Sequence, residues 1–255
     1  MNFDFSNDYF FDNVFGGNVP VYLIVLSFLA LLPGIVIMVK VYRMDKIEKE
    51  PAGLLLLLFI CGIVSILPVV IAEMIVGGII NALFTGKLAI FVMAFIGVAI
   101  IEETGKFFAL KIPTWKNRNF DYRFDAIVYS VTAALGFAIF ENIMYVLEGG
   151  IITALLRAVM SVPAHAMFGL IMGVFYGHAK IYDRKGDKKK CRINQWLAIL
   201  IPTIGHGAYD YFAMSGGNAG IAGLIIIVIA MYVFSWYTLK KESRTDMPMS
   251  YEETH

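Results

Sequence analysis

Ile100-Ile101-Glu102-Glu103-Thr104-Gly105-Lys106 is the stretch on which the reading of this chain turns. It sets two glutamates and a lysine inside an apolar run. Leu88 to Ile101 carries no charge, and apolar residues resume at Phe107-Phe108-Ala109-Leu110. An ionisable side chain inside a membrane span costs about 2.5–3.5 kcal/mol unless it faces a polar interior or a partner. Three in five residues therefore call for partners elsewhere in the chain.

The surroundings are those of a membrane protein. Of 255 residues, 59% are hydrophobic and 16% charged, against about 25% charged in soluble proteins. Mean hydropathy is +0.72. With several uninterrupted apolar stretches, the fold class is all-α, a polytopic transmembrane helical bundle. Alternating strands of about ten residues, the mark of an outer-membrane barrel, are absent. Cys61 lies in an apolar span and Cys191 in a basic loop, so they form neither a disulfide framework nor a zinc cluster.

Seven spans are expected, at about 19–41, 53–75, 88–112, 125–147, 158–182, 195–214 and 221–239. They make one membrane domain over residues 1–255, with Pro68 a kink in the second span and Ile151 to Arg157 a short interfacial helix. The leader Met1 to Asn18 carries Asp4, Asp8 and Asp12 and no basic residue, unlike a secretory signal, so the first span reads as retained. Basic residues fall on alternate loops: Arg43, Lys46 and Lys49; Lys111, Lys116, Arg118 and Arg123; the run Arg184 to Arg192; and Lys240, Lys241 and Arg244. The intervening loops offer only Lys87 and Arg157. This alternation puts the N-terminus outside and the C-terminus in the cytoplasm. The basic loop Asp183 to Arg192 reads as a topology signal and not as a nucleic-acid site.

Three later spans answer the opening motif. The fourth brings Phe137 to Glu141 and Asn142, the fifth His165, and the sixth His206 and Asp210. His206 and Asp210, four apart, share a helix face, and Lys106 can pair with Glu102 or Glu103. Counted from the cytoplasmic end of each span at about 1.5 Å per residue, Glu102 and His206 lie about 15–17 Å deep, and Glu141 and His165 about 24–26 Å. All fall within a hydrocarbon core of about 30 Å. Gly169, Gly173 and Gly177 extend the His165 face with small residues that let helices approach closely. His178, Glu73 and Glu148 read as interfacial, and Asn142, Tyr145 and Tyr209 as supporting or packing residues.

This is a hydrolytic set. Two imidazoles and a carboxylate, His165, His206 and Glu141 or Asp210, can hold Zn²⁺ with one position open, while a glutamate takes the proton. Equally, a buried glutamate can activate water without metal while His206 and Asp210 stabilise an oxyanion. Spacing leaves both open. A proton-coupled transporter uses the same residue types, but no paired halves or matching broken helices are visible. A hydrolase requires Glu102, Glu103, His165 and His206 to close on one pocket, whereas a transporter strings them along a path.

At these residues the chain resembles the PrsW family of intramembrane proteases, which is related to CAAX prenyl endopeptidases and CAAX-like bacterial proteins. Glu102-Glu103-Thr104-Gly105-Lys106 is similar to the family's Glu-Glu-x-x-Lys motif and Phe137 to Glu141 to Phe-x-x-x-Glu. His165 matches the lone histidine and His206 to Asp210 matches His-x-x-x-Asp. Asp45 to Pro51 is similar to the family's Asp-x-x-Glu-x-Glu-Pro segment. The resemblance implies a multi-pass endopeptidase of the bacterial plasma membrane. Its substrate would be a single-span protein such as an anti-sigma factor, cut first in envelope-stress signalling. It also implies catalytic roles for Glu102, Glu103, His165 and His206, with Glu102 as base and Lys106, Glu141 and Asp210 in support, beside Asn142 from the reading of the residues themselves. The family is grouped with metalloproteases and its CAAX relatives with glutamate enzymes, so a Zn²⁺ centre of Glu141, His165 and His206 and a metal-free mechanism both stand. A CAAX-like protease or an immunity protein is the neighbouring alternative.

Overall fold

The structure, a computed structural model, describes residues 19–249. The acidic leader Met1 to Asn18 lies outside them. Among the described residues there is no strand beyond an isolated bridge between Tyr122 and Pro248, and seven helical rods follow one another. They are α1 Val19–Met44, α2 Ala52–Leu83, α3 Gly86–Thr114, α4 Asp125–Val159, α5 Ser161–Arg184, α6 Lys188–Ser215 and α7 Gly217–Arg244. Each overlaps an expected span and most are longer, while α5 starts three residues later than the 158 expected. α2 passes unbroken through Pro68 and ends at Leu83, and α6 begins at Lys188, a turn and more before Gln195.

Two local departures from regular helix matter for the site. α3 is α-helical at Gly86–Val92 and Ile100–Thr114 but π-helical over Met93–Ala99, directly before the glutamates. α4 breaks at Gly150, whose φ of 67° and ψ of −159° separate a short helix ending at Val159 from the main rod. A positive φ at this place is one that glycine adopts without steric cost. The short piece is the helix expected around Ile151 to Arg157.

α4 is the central rod. From Asp125 to Ile139 every side chain is buried, packed by α1, α2 and α5. Small residues set those approaches. A Cβ on Gly62 of α2 would lie 2.1 Å from the Ala133 carbonyl oxygen, and one on Gly136 of α4 would lie 2.2 Å from that of Phe59. On α5, a Cβ at Gly169 or Gly173 would meet Ala134 at 2.8 Å or Ile127 at 2.7 Å. The glycine stripe is thus the surface on which α5 docks against α4.

Leu56, Leu67, Ile71 and Met74 of α2 and Ile226, Val233 and Phe234 of α7 lie exposed. Helices satisfy their own backbone polar groups, so such apolar outer faces suit lipid. Five segments are long and apolar enough to cross a membrane: Val21–Met44, Ala52–Leu83, Gly86–Thr114, Asp125–Arg184, which contains both α4 and α5, and Gly217–Arg244. α6 carries Lys188, Lys189, Lys190, Arg192, His206 and Asp210 in one helix, which dilutes its hydropathy.

Candidate active site

The first turns of the α-helical part of α3 place Glu102, Glu103 and Lys106 on one buried face, where residues three and four apart are neighbours. Lys106 Nζ donates to Glu102 Oε2 at 2.8 Å and to Glu103 Oε1 at 2.9 Å, and it lies 2.9 Å from His165 Nδ1. The lysine is therefore shared by both glutamates and by the imidazole of α5.

Both imidazoles are held from behind by carboxylates. His165 Nε2 lies 2.9 Å from Glu141 Oε2, and His206 Nδ1 lies 2.9 Å from Glu103 Oε1. The remaining nitrogens converge on Glu102 Oε2, His165 Nδ1 at 4.0 Å and His206 Nε2 at 3.9 Å, with Asp210 Oδ2 3.3 Å from the latter. The rings meet edge to face with centroids 5.4 Å apart, and Phe168 stacks on His206 at 4.7 Å. Phe95, from the π-helical segment, fills the place where a Cβ on Gly207 would stand. That contact seats α6 beside α3.

Glu102, His165 and His206 each offer a donor atom, and these atoms lie within 4.8 Å of one another. The set fits a divalent ion of the kind that takes nitrogen and oxygen ligands. In both histidines the nitrogen turned away from Glu102 meets a carboxylate, the arrangement that orients metal-binding imidazoles. Glu141 stands one step back, as the partner of His165. Lys106 Nζ already satisfies Glu102 Oε2 and His165 Nδ1, an arrangement that also serves a glutamate acting without metal.

These groups line a cavity of about 540 Å³. Glu102, Glu141, His165, His206 and Asp210 face it, whereas Glu103 lies behind, fully buried. The lining extends from the middle of the rods toward one end of the bundle: α2 from Ile66, α3 up to Glu102, α4 from Phe137, α5 up to Phe168 and α6 from His206. Beyond the glutamates, the other end is closed by Phe107, Phe120, Tyr129 and Tyr176, buried rings in mutual contact. The polar groups close on one blind pocket rather than forming a path through the bundle.

The site residues named from the sequence thus come together, Asn142 included. Asn142 is buried and ties α4 to α1 through Ala30 O at 2.9 Å. The unequal expected depths arose because the rods end at different heights, as the early start of α6 shows. Two residues were misread. Arg157, counted only as an outer-loop charge, donates to Glu141 Oε2 at 2.9 Å and Asn142 Oδ1 at 2.8 Å and lies over the Tyr145 ring. Glu73, expected at the interface, faces the cavity with Oε1 buried and unpartnered, because α2 continues well past it. A charged residue just after a Gly149-Gly150 break was the available signal for Arg157.

Comparison with known proteins accords with this geometry. The sequence model of one family, described as PrsW family intramembrane metalloprotease, matches residues 50–238. A protein named Protease PrsW from Oceanobacillus iheyensis is 34% identical over 211 residues, covering 83% of this chain and 93% of the relative. The proteins of that name from Geobacillus kaustophilus and Bacillus subtilis are 31% and 30% identical over 209 and 214 residues. They cover 82% and 81% of this chain and 87% and 88% of their own lengths. No solved structure matches.

Proposed function

The chain belongs to the PrsW family of intramembrane proteases, and from that premise we propose that it makes the first cut in a single-span, membrane-anchored anti-sigma factor of the bacterial plasma membrane. The reading rests on one observation: Glu102 meets His165 and His206 at the floor of a blind cavity. The alternation of basic loops supports seven crossings, with the N-terminus outside and the C-terminus in the cytoplasm. In that orientation the cavity runs from the catalytic groups, near the middle of the rods, toward their outer ends. The scissile bond then enters from the extracytoplasmic side, as a first-site cut requires.

Glu102 is the base. Its carboxylate faces the cavity, and Lys106 holds it and balances its charge. It takes the proton of the attacking water and returns it to the leaving amine. His206, fixed by Glu103 and flanked by Asp210, faces the developing oxyanion. Glu141 and Arg157 fix His165. With a divalent ion held by Glu102, His165 and His206, for which Zn²⁺ suits the donor set, Glu102 would instead be a ligand, and the ion would supply Lewis-acid polarisation of the scissile carbonyl and activation of the water.

Cleavage of such an anti-sigma factor by the purified chain tests this. Glu102→Ala is expected to lower the rate by about 10²–10⁴-fold, and His206→Ala by about 10²–10³-fold. Glu103→Ala and His165→Ala should each lose most activity, with the new terminus in the extracytoplasmic part of the substrate. Four variants that all cut like wild type would end the assignment. Loss of activity to a chelator and its return with Zn²⁺ would establish the metal, and indifference to the chelator the glutamate mechanism.

A further inference from the structure

The motif Asp45 to Pro51 takes no part in the active site. It carries two of three carboxylates gathered at the other end of the bundle. Asp45 and Glu50 come from the α1–α2 loop and Asp125 from the start of α4, about 24 Å along that helix from Glu141. Each offers one oxygen, and these oxygens lie within 4.8 Å of one another. The three residues are 1%, 3% and 1% exposed.

Their hydrogen bonding is half complete. Asp125 Oδ2 accepts the backbone N–H groups of Asp121 at 3.1 Å and Tyr122 at 2.7 Å, while the Asp125 and Glu50 carboxyls lie within hydrogen-bond distance of each other, an approach that needs a proton or a cation between them. Glu50 Oε2 accepts the Tyr129 hydroxyl. Both oxygens of Asp45 are buried and unpartnered. Asp246, in the segment after α7, is half satisfied: Oδ1 accepts Phe124 N–H at 2.8 Å, and Oδ2 is buried and unpartnered. Its charge acts on Asp45.

The cations that act on the cluster are engaged elsewhere. Lys49 Nζ donates to the carbonyl oxygens of Tyr42, at 2.7 Å, and Asp45, and Arg123 pairs with Glu242. Burial consequently pushes the Asp45 carboxyl up to about 6 and that of Glu50 up to about 7. Buried carboxylates without a counter-ion are costly, and a cation among them removes the cost. The donors are all oxygen, which selects a hard ion over zinc or copper.

We propose that Asp45, Glu50 and Asp125 form a binding site for a hard divalent cation, Ca²⁺ or Mg²⁺, separate from the active site. The bound ion ties the first loop to the start of α4. The C-terminal segment is already pinned beside it by Arg123 N–H to Met247 O at 3.1 Å and Ser243 Oγ to Met44 O at 2.5 Å.

The test uses the full chain in detergent, chelator-stripped, as wild type and as His165→Ala/His206→Ala, which removes nitrogen donors of the active-site cluster. Ca²⁺ or Mg²⁺ about 100-fold above its Kd should raise the unfolding temperature of both by about 5 °C or more. Asp45→Asn and Glu50→Gln should abolish the rise. Without cation, Asp45→Asn should unfold at or above the wild-type temperature, because it removes a buried carboxyl whose ionisation nothing else in the cluster compensates. Tb³⁺ luminescence that Ca²⁺ displaces, present in wild type and lost in Glu50→Gln, reads the site without unfolding. No response to either ion, or a response that survives both substitutions, overturns the proposal. The ion that acts at the lower concentration identifies the occupant.

Discussion

Lys106 is 1% exposed, and its ammonium touches Glu102, Glu103 and His165. Desolvating such charges costs several kcal/mol per ion, and only close, well-directed partners repay it. Lys106→Met leaves two buried glutamates uncompensated and is expected to cost about 3–5 kcal/mol, measured by unfolding in detergent. Adding Glu103→Gln should recover part of that loss, since the two residues are coupled. A cost below about 1 kcal/mol would show that the lysine is not the counter-ion the geometry makes it. The pairing was legible from the spacing of residues 102, 103 and 106. The split between a cavity-facing Glu102 and a buried Glu103 was not. It depends on which helix face meets α6, and His206 Nδ1 at 2.9 Å from Glu103 settles that only in three dimensions.

Between rods, glycines do most of the positioning. Gly136 faces the Phe59 carbonyl of α2, where a Cβ would stand 2.2 Å away, whereas a Cβ at Gly78 meets nothing within 4 Å. Gly136→Ala is expected to push α2 off α4 and destabilise by about 1–3 kcal/mol or more, with cleavage falling as the cavity wall moves. Gly78→Ala, in the same pair of rods, should be neutral or stabilising by about 0.5–1 kcal/mol. Equal thermal shifts for the two would contradict this account of the contact. The stripe Gly169, Gly173 and Gly177 could be read from its period of four. Gly62 and Gly136 are isolated in their own helices, and their meaning appears only when the rods are side by side. The π-helical Met93–Ala99 was also hidden, since no proline or charge marks it. Its extra residue changes the phase of the helix ahead of Glu102 and presents Phe95 to Gly207.

For the whole molecule, the arrangement of charge decides orientation, and orientation decides which side the substrate enters from. Single cysteines in a chain lacking Cys61 and Cys191 can report it. Positions 49 and 187 should resist a membrane-impermeant maleimide in intact cells, while positions 86 and 216 should label. Labelling of both sets from outside, or of neither, would contradict the proposed topology. In the same orientation the acidic cluster of Asp45, Glu50 and Asp125 meets the cytosol, and the cavity meets the opposite side.

The sequence alone determined the number and order of the rods, the residues that had to be partnered, and the family they resemble. Apolar length, loop charge and the cost of a buried ion are properties of local segments. Tertiary structure alone decided that the polar residues share one blind pocket open at a single end. It also decided that Arg157 and Glu73 belong to that pocket, and that the carboxylates of the first loop meet a third at the far end of α4. Those outcomes depend on contacts between residues far apart in the chain. The way the rods turn toward one another and the approach of glycine-lined faces set them, and only the Gly149-Gly150 break ahead of Arg157 leaves a mark in the local stretch.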